Sequence, residues 1–522
     1  MNRSNRILLL TLLLVMPAAG QTVAETARKK ALDRPRRVIF NNDGGETARS
    51  MRSPTEKEFL DLRTTQLAGT HVDSIFYCSR TSGFGVFTHF TKIGQVFTST
   101  EGNYEHNQMA GLLKAGLDPL TMQCNFGKKH NIEVFWSMRM NDTHDGSKAE
   151  YGPIMFKDNK LKNEHPEYLL GTIKKPLKHG AWSAVNYGLP EVREHCFRYF
   201  EEVCFNYDID GIELDFFRHP VFFKSTARGE PATQEELDAM TALIKRIRTM
   251  TEEVAAKRGK QILIAVKSPD SVEYCKAIGL DLEAWMKSGL FDMYIPGGYF
   301  QLNEWDYSIA LARRYGLKVY PSLDESRLKD AEAKTARNGA LSYRGRAAAV
   351  WNVNADGVYF FNFNDTLPGV NLLKEAGDPK VLLKQDRDYF ASTRGVSNAA
   401  GGNLPYAKYQ MIETLNPGTP KVLKAGTAIL SRIHLGERAD DVTPRTVTVK
   451  VQLKNSPKEK QLQARWNGEV IPLKNAGGEW WECPLELAAV KPGFNQMELT
   501  LTEATAKPVQ WTDMTVQVRP KP

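Results

Sequence analysis

Between residues 37 and 362 one pattern recurs eight times: a short β-rich apolar run, then a longer stretch with helical spacing. The candidate strands are 37–42, 73–78, 132–138, 209–215, 261–267, 291–296, 317–322 and 357–362, and the clearest amphipathic segments are 190–205 and 234–257. Eight strand–helix units predict an α/β chain, a (β/α)8 TIM barrel over residues 35–390, rather than an open doubly wound sheet. No Gly-rich phosphate fingerprint follows the first strand, which weighs against a dinucleotide site, and no cofactor is implied.

At 522 residues the chain exceeds one ordinary domain. Residues 391–405 (ASTRGVSNAAGGNLP) are small, polar and Gly-rich, the composition of a linker. Beyond them the pattern shortens. Runs at 446–453, 461–466, 480–485 and 497–502 alternate with turn signals such as Asn467-Gly468, predicting a small β-sandwich over 406–522. Trp480, Trp481 and Trp511 in it suit a sugar platform or, more simply, a core or domain interface.

The first 24 residues have the form of a secretory signal peptide. Arg3 and Arg6 precede an apolar run from position 7 to 16, and small residues around Ala18-Ala19-Gly20 or Thr22-Val23-Ala24 offer cleavage sites. A secreted or periplasmic protein with no membrane span in the mature chain is expected. The formal charge of +8 is mild, without the clustered basic stripe of a nucleic-acid binder, so no nucleic-acid partner is expected. The six cysteines show no zinc spacing and read as buried thiols. Cys196 and Cys204, eight residues apart on one predicted helix, are about 12 Å apart along its axis, too far for a disulfide.

In a barrel of this kind chemistry gathers at the C-terminal strand ends. The fourth strand reads Asp210-Gly-Ile-Glu-Leu-Asp-Phe-Phe-Arg218; alternation turns Ile212 and Leu214 to the helical layer and Glu213 and Asp215 to the barrel axis. Arg218 can pair with them, in a structural lattice or in a site. The first strand ends in Asn41, Asn42 and Asp43; the third continues through Arg139, Asn141, Asp142, His144 and Asp145. Lys267 and Asp270 end the fifth, Tyr294, Tyr299 and Phe300 accompany the sixth, Asp324 and Glu325 follow the seventh, and Asn362, Asn364 and Asp365 close the eighth. Acids, amides and aromatics on one rim suit a sugar, whose hydroxyls need polar partners and whose C–H face needs an aromatic surface. Asp142, His144 and Asp145 could hold a metal, but no second histidine stands at ligand spacing, and none is expected. Lys267 could serve as a Schiff-base lysine, or more simply pair with Glu213 or Asp215.

The DGIELD motif of the fourth strand resembles the family ten-like bacterial glycosylhydrolase barrels. It is also similar to the DGxDxDxE strand of chitinases, in which Glu213 and Asp215 fall on the two aspartates and Phe217 replaces the catalytic glutamate. A closer likeness is to the inverting exo-sialidases built on a (β/α)8 barrel. That resemblance implies a catalytic pair at Asp43 and His144, carboxylate-binding arginines at Arg139 and Arg218, and an asparagine at Asn362. It covers the barrel and not the sandwich.

The expectation is an exported glycoside hydrolase that removes a terminal carboxylated sugar, sialic or uronic acid, from an oligosaccharide or glycoconjugate with inversion. Asp43 would act as base and His144 as acid, since imidazole titrates near neutrality. Arg139 and Arg218 would bind the carboxylate, and Asn141, Asp142, Glu213, Asp215, Lys267, Tyr299 and Asn362 would line the substrate site. Two rivals stand beside it: a glycosidase for neutral or sulfated polysaccharide using Glu213 or Asp215 with Asp324 or Glu325, and a non-catalytic carbohydrate-binding barrel.

Overall fold

The apolar runs of residues 37–362 assemble as a single parallel sheet. Its members are β1 (Val38–Asn42), β2 (Val72–Tyr77), β3 (Glu133–Arg139), β4 (Gly211–Asp215), β5 (Leu263–Ser268), β6 (Met293–Pro296), β7 (Lys318–Val319), β8 (Ser322–Leu323) and β9 (Val358–Phe360). They lie in the order β8-β9-β1-β2-β3-β4-β5-β6-β7, every neighbour parallel. The computed structural model describes residues 18–79, 83–363, 368–394, 405–437 and 444–521, with side chains from residue 25 onward and not at 368–370. Most of the expected linker, the apolar part of the leader, Asn364 and Asp365 lie outside the described residues.

The seventh strand departs from the expected eight-membered barrel. Its segment is split into β7 and β8, which stand at opposite ends of the sheet path, so the sheet is a curled nine-membered one. The break falls at Pro321, which has no N–H to give to a ladder. Around it Tyr320 N donates to Tyr294 O (2.9 Å), and Pro321 O accepts from Tyr359 N (3.1 Å).

The concave side of the sheet is filled by side chains. Ile39, Phe76, Phe135, Leu263, Ala265, Met293, Ile295, Tyr320, Tyr359 and Phe361 form one buried cluster. Phe76 and Phe135 stack at 4.4 Å between ring centroids. Gly211 explains the glycine of the fourth-strand motif: a Cβ there would come within 2.2 Å of the Phe135 ring and 2.6 Å of Leu263 O. At the N-terminal end of the strands the helix α1 (Ala18–Leu32) brings Ala31 and Leu32 against this cluster. Arg28 and Arg248 both pair with Asp292, while Arg36 pairs with Glu133. That end is sealed, and the opposite end is left for chemistry.

Helices cover the convex side with their apolar stripes. α2 (Pro190–Asn206) buries Val192, Cys196, Tyr199, Phe200, Val203 and Cys204. α3 (Gln234–Arg258) starts at a Thr233–Glu236 capping box and stops at Gly259, whose φ of 66° suits a residue without Cβ. All six cysteines are free.

The C-terminal region forms two antiparallel sheets. The expected short strands occur as Arg445–Lys454, Leu462–Trp466, Trp480–Leu485 and Gly493–Leu501. Burial alternates along Arg445–Lys454, with Val447, Val449, Val451 and Leu453 turned inward. Trp466, Trp481 and Trp511 are core residues, and Trp480 is half-buried. Arg387–Phe390, placed by sequence at the end of the first unit, pairs with Gln510–Pro520 of the C-terminal sheet. Arg337, on helix α4 (Ala331–Asn338), meets Asp513 in a buried two-bond ion pair. Among the described residues no helix is long and apolar enough to cross a membrane.

Candidate active site

Each strand end makes a sharp turn that fixes the side chains beyond it. After β1, Asn42 Oδ1 accepts from Gly44 N (2.9 Å), and Gly44 takes a φ of 65°. Asp43 in this turn forms an ion pair with Arg63 Nη1, and Arg63 Nη2 donates to Phe363 O (3.1 Å). After β3, Asp142 Oδ2 accepts from Arg139 Nη1 (3.2 Å), while its Oδ1 accepts from His144 N (2.9 Å) and His144 Nδ1 (2.8 Å). After β4, Asp215 Oδ1 accepts from Phe217 N (3.0 Å) and Arg218 N (3.2 Å), turning Arg218 outward.

Arg218 joins these turns into one constellation. Its Nη2 lies 3.2 Å from His144 Nε2, and its Nη1 donates to the Tyr299 hydroxyl. The same hydroxyl accepts from Asn362 Nδ2 (3.2 Å), and Asn362 N donates to Asn41 Oδ1 (3.1 Å). Asn362 has a left-handed φ of 46°, a conformation asparagine tolerates better than most residues. Residues from five strand ends thus form a chain of contacts: Arg139, Asp142, His144, Arg218, Tyr299, Asn362 and Asn41. Asp43 joins this group through Arg63 and Phe363, neighbour of Asn362.

Electrostatics give the histidine a defined state. Burial pushes His144 below the usual imidazole value, and Arg218 and Arg139 add to that, against the pull of Asp142. Burial alone would raise Asp142, but His144 and Arg139 hold it well below the usual carboxylate range. The second imidazole proton is therefore disfavoured; Nδ1 bonds to Asp142, and Nε2 faces the Arg218 guanidinium. Burial works against the Arg139 charge, but Cys78, Asp142, Asp43 and Asp215 around it more than offset that.

Several of the expected substrate contacts are buried and bonded within the protein. The Asn141 carboxamide donates to Val185 O (3.0 Å) and Val221 O (2.7 Å) and accepts from Val185 N (2.9 Å); it ties two loops together and faces no opening. Glu213 is fully buried, accepting from Ser137 Oγ and from the Tyr359 hydroxyl (2.8 Å). Burial and then Asp215 push it up to about 8. Lys267 donates to Gly297 O (2.7 Å) and Ser322 Oγ (2.7 Å), and burial pushes it down to about 8 against the pull of Asp215 and Glu213. Asp215 is raised by burial against Lys267, Arg139 and Arg218. Glu213, Asp215 and Lys267 are all buried and feel one another's charge, but the bonds of Lys267 go to Gly297 O and Ser322 Oγ rather than to either expected carboxylate. Asp324 is buried against Arg394, and only Glu325 of the seventh-strand acids is exposed. Of the four carboxylates in the polysaccharide rival, Glu213, Asp215 and Asp324 are thus buried and Glu325 is exposed.

Asp142, His144 and His219 lie close enough to share an ion, the second histidine being one that sequence spacing did not reveal. Two guanidinium groups already occupy the cation positions there, on Asp142 and on His144. His219 also accepts from Thr143 N through Nδ1 (3.2 Å) and sets its ring at 82° to His144. Asp145 is withdrawn from this group, buried against Lys162 (2.7 Å).

Three further residues escaped the sequence reading. Arg63 sits 20 positions from Asp43 on a separate helix, and no local motif joins them. His219 follows Arg218 directly, and its only signal is that adjacency. Arg327 lies past the seventh strand, its guanidinium carbon 3.3 Å from the Tyr299 ring centroid.

No protein-family model matches the chain, and no curated protein does. Among solved structures it is similar to a cycloisomaltooligosaccharide glucanotransferase of a Paenibacillus species, at 8% identity and a TM-score of 0.36, over 92% of this chain and 57% of that one. An α-L-fucosidase isoenzyme 2 from Paenibacillus thiaminolyticus matches at 14% and 0.41, over 68% and 51%. A family 36 α-galactosidase from Geobacillus stearothermophilus matches at 10% and 0.37, over 94% and 56%. The chain thus spans little more than half the length of these proteins. With all three TM-scores below 0.5, the functional reading rests on the site's own residues.

Proposed function

We propose that this protein is a glycoside hydrolase acting on a terminal sugar that carries a carboxylate, a sialic or uronic acid, with inversion at the anomeric carbon. The observation that carries this reading is the Arg218 guanidinium, held at the C-terminal mouth of the curled sheet between His144 Nε2 and the Tyr299 hydroxyl. A guanidinium there offers planar, charge-assisted bonds to a carboxylate.

In this mechanism Asp43 is the base. Its carboxylate, held in the strand-end turn by its pair with Arg63, takes a proton from the attacking water. His144 is the acid, donating from Nε2 to the leaving oxygen, while Asp142 at Nδ1 orients the ring and stabilises its protonated form. A substrate carboxylate that draws Arg218 away from Nε2 removes the neighbouring charge that discourages that proton. Arg139, ringed by carboxylates, positions Asp142.

An NMR time course on an aryl α-sialoside and an aryl β-glucuronide tests this reading. Turnover with the inverted anomer first to appear is expected, lowered by about 10²–10⁴ in Asp43→Asn and His144→Gln. Wild-type protein that releases no sugar from any acidic glycoside refutes it.

A further inference from the structure

Tyr299 is shared by two guanidinium groups. Arg218 places its guanidinium carbon 4.9 Å from the ring centroid, and Arg327 places its own over the ring at 3.3 Å. The two cations approach one side chain from different strands, and like charges so placed repel unless an anion joins them. Glu325 offsets Arg327 in part, reached at 3.2 Å from Nε and from Nη2. That contact uses one edge of the fork and leaves Nη1 directed elsewhere. The Tyr299 hydroxyl accepts from both Arg218 and Asn362, which leaves its own proton for another acceptor.

The loop carrying Arg327 is anchored at its base although its tip is open. Asp324 is paired with Arg394, whose Nη1 donates to Glu325 O (2.9 Å), and Arg346 Nη1 donates to Asp324 O (2.8 Å). Ser326 N donates to Asn338 Oδ1 (2.6 Å), and Ser326 Oγ to Thr393 O (2.8 Å). Arg327 itself is half exposed, at 50%. A fixed base and an exposed cation stacked on a fixed ring describe a pre-organised recognition group more than a surface ion pair, whose partners move freely.

We propose that Arg327 is a specificity-determining residue that binds the substrate's carboxylate together with Arg218 and the Tyr299 hydroxyl. This assignment rests on the acidic-sugar reading above and adds to it a residue from the loop after β8. The class of ligand follows from the donors: two planar cations and one O–H beside a ring match a carboxylate set on a pyranose, with which they form bidentate ion pairs that a neutral sugar lacks.

The test compares Arg327→Ala, Arg327→Lys and wild type on an aryl sialoside or glucuronide and on its methyl ester. Losing one charge-assisted contact predicts a KM about tenfold higher for the acid in Arg327→Ala, with kcat within about twofold and a clearly smaller loss on the ester. Arg327→Lys restores part of the loss, as a point charge without the planar fork. Calorimetric binding of the free acid sugar weakens in parallel. Equal KM for wild type and Arg327→Ala on the acid, or equal losses on acid and ester, overturns the Arg327 assignment alone. Wild-type protein that neither cleaves nor binds any acidic sugar overturns the acidic-sugar reading and this assignment with it.

Discussion

Replacing Arg337 with methionine removes the cation from the buried pair that joins helix α4 to the C-terminal sheet. The two side chains are 0% and 4% exposed, and their bonds run from Nη1 to Oδ2 (2.9 Å) and Nη2 to Oδ1 (2.7 Å). Arg337 also donates from Nε to Ser392 O (2.8 Å). Methionine keeps an apolar stem but removes the guanidinium that lies over the Phe390 ring (4.4 Å), and it leaves the Asp513 carboxylate buried, with Met514 N (2.8 Å) still donating to it. Removing one partner of such a pair costs about 3–5 kcal/mol. That lowers the folded-to-unfolded ratio by about two to three and a half powers of ten. Burial already pushes Asp513 up, and Arg337 is what pulls it down. Without Arg337 its folded-state value lies further above the unfolded one, so the deficit is full at pH above that folded value. It shrinks as pH falls and the carboxyl takes its proton. Urea unfolding of Arg337→Met, followed by tryptophan fluorescence and far-ultraviolet circular dichroism at several pH values, measures this. The double variant Arg337→Met/Asp513→Leu is expected to recover most of the loss. A single-variant deficit under about 1 kcal/mol, or one that grows on acidification, refutes the reasoning.

The remaining predictions concern the mouth. If His144 is the acid, kcat/KM falls as pH rises through a value below the ordinary imidazole range of about 6.5, because burial and Arg218 disfavour its proton. A bound carboxylate offsets Arg218, so the alkaline limb of kcat lies at higher pH than that of kcat/KM; coincident or reversed limbs contradict this order. Asp142→Asn removes the main neighbour that raises His144. It is expected to move the kcat/KM limb to lower pH and to cut kcat, and a limb that moves upward in pH–rate profiles counts against the assigned contact.

Much of the architecture is legible in the chain itself. The spacing of apolar residues announced the strands, because a residue's face follows from period-two alternation without knowledge of its neighbours. Glu213 and Asp215 were expected at the axis for that reason, and Gly211 beside them makes room for Phe135. Arg139, His144, Arg218, Tyr299 and Asn362 could be nominated because strand ends were visible, and they meet in one network. What those residues do was decided in three dimensions. Whether a polar side chain faces a ligand or supports a loop depends on which backbone groups surround it, and Asn141 was claimed by Val185 and Val221 from distant segments. Arg63 reaches Asp43 from a helix, and Arg327 reaches Tyr299 from another strand end, through distances in space that leave no periodic trace in the sequence. The broken seventh strand lies between these cases: Pro321 was plain to read, but only the curl of the sheet put its missing N–H at the seam. Local rules fix conformation and facing, whereas pairing between remote groups is settled when the sheet brings its strand ends together.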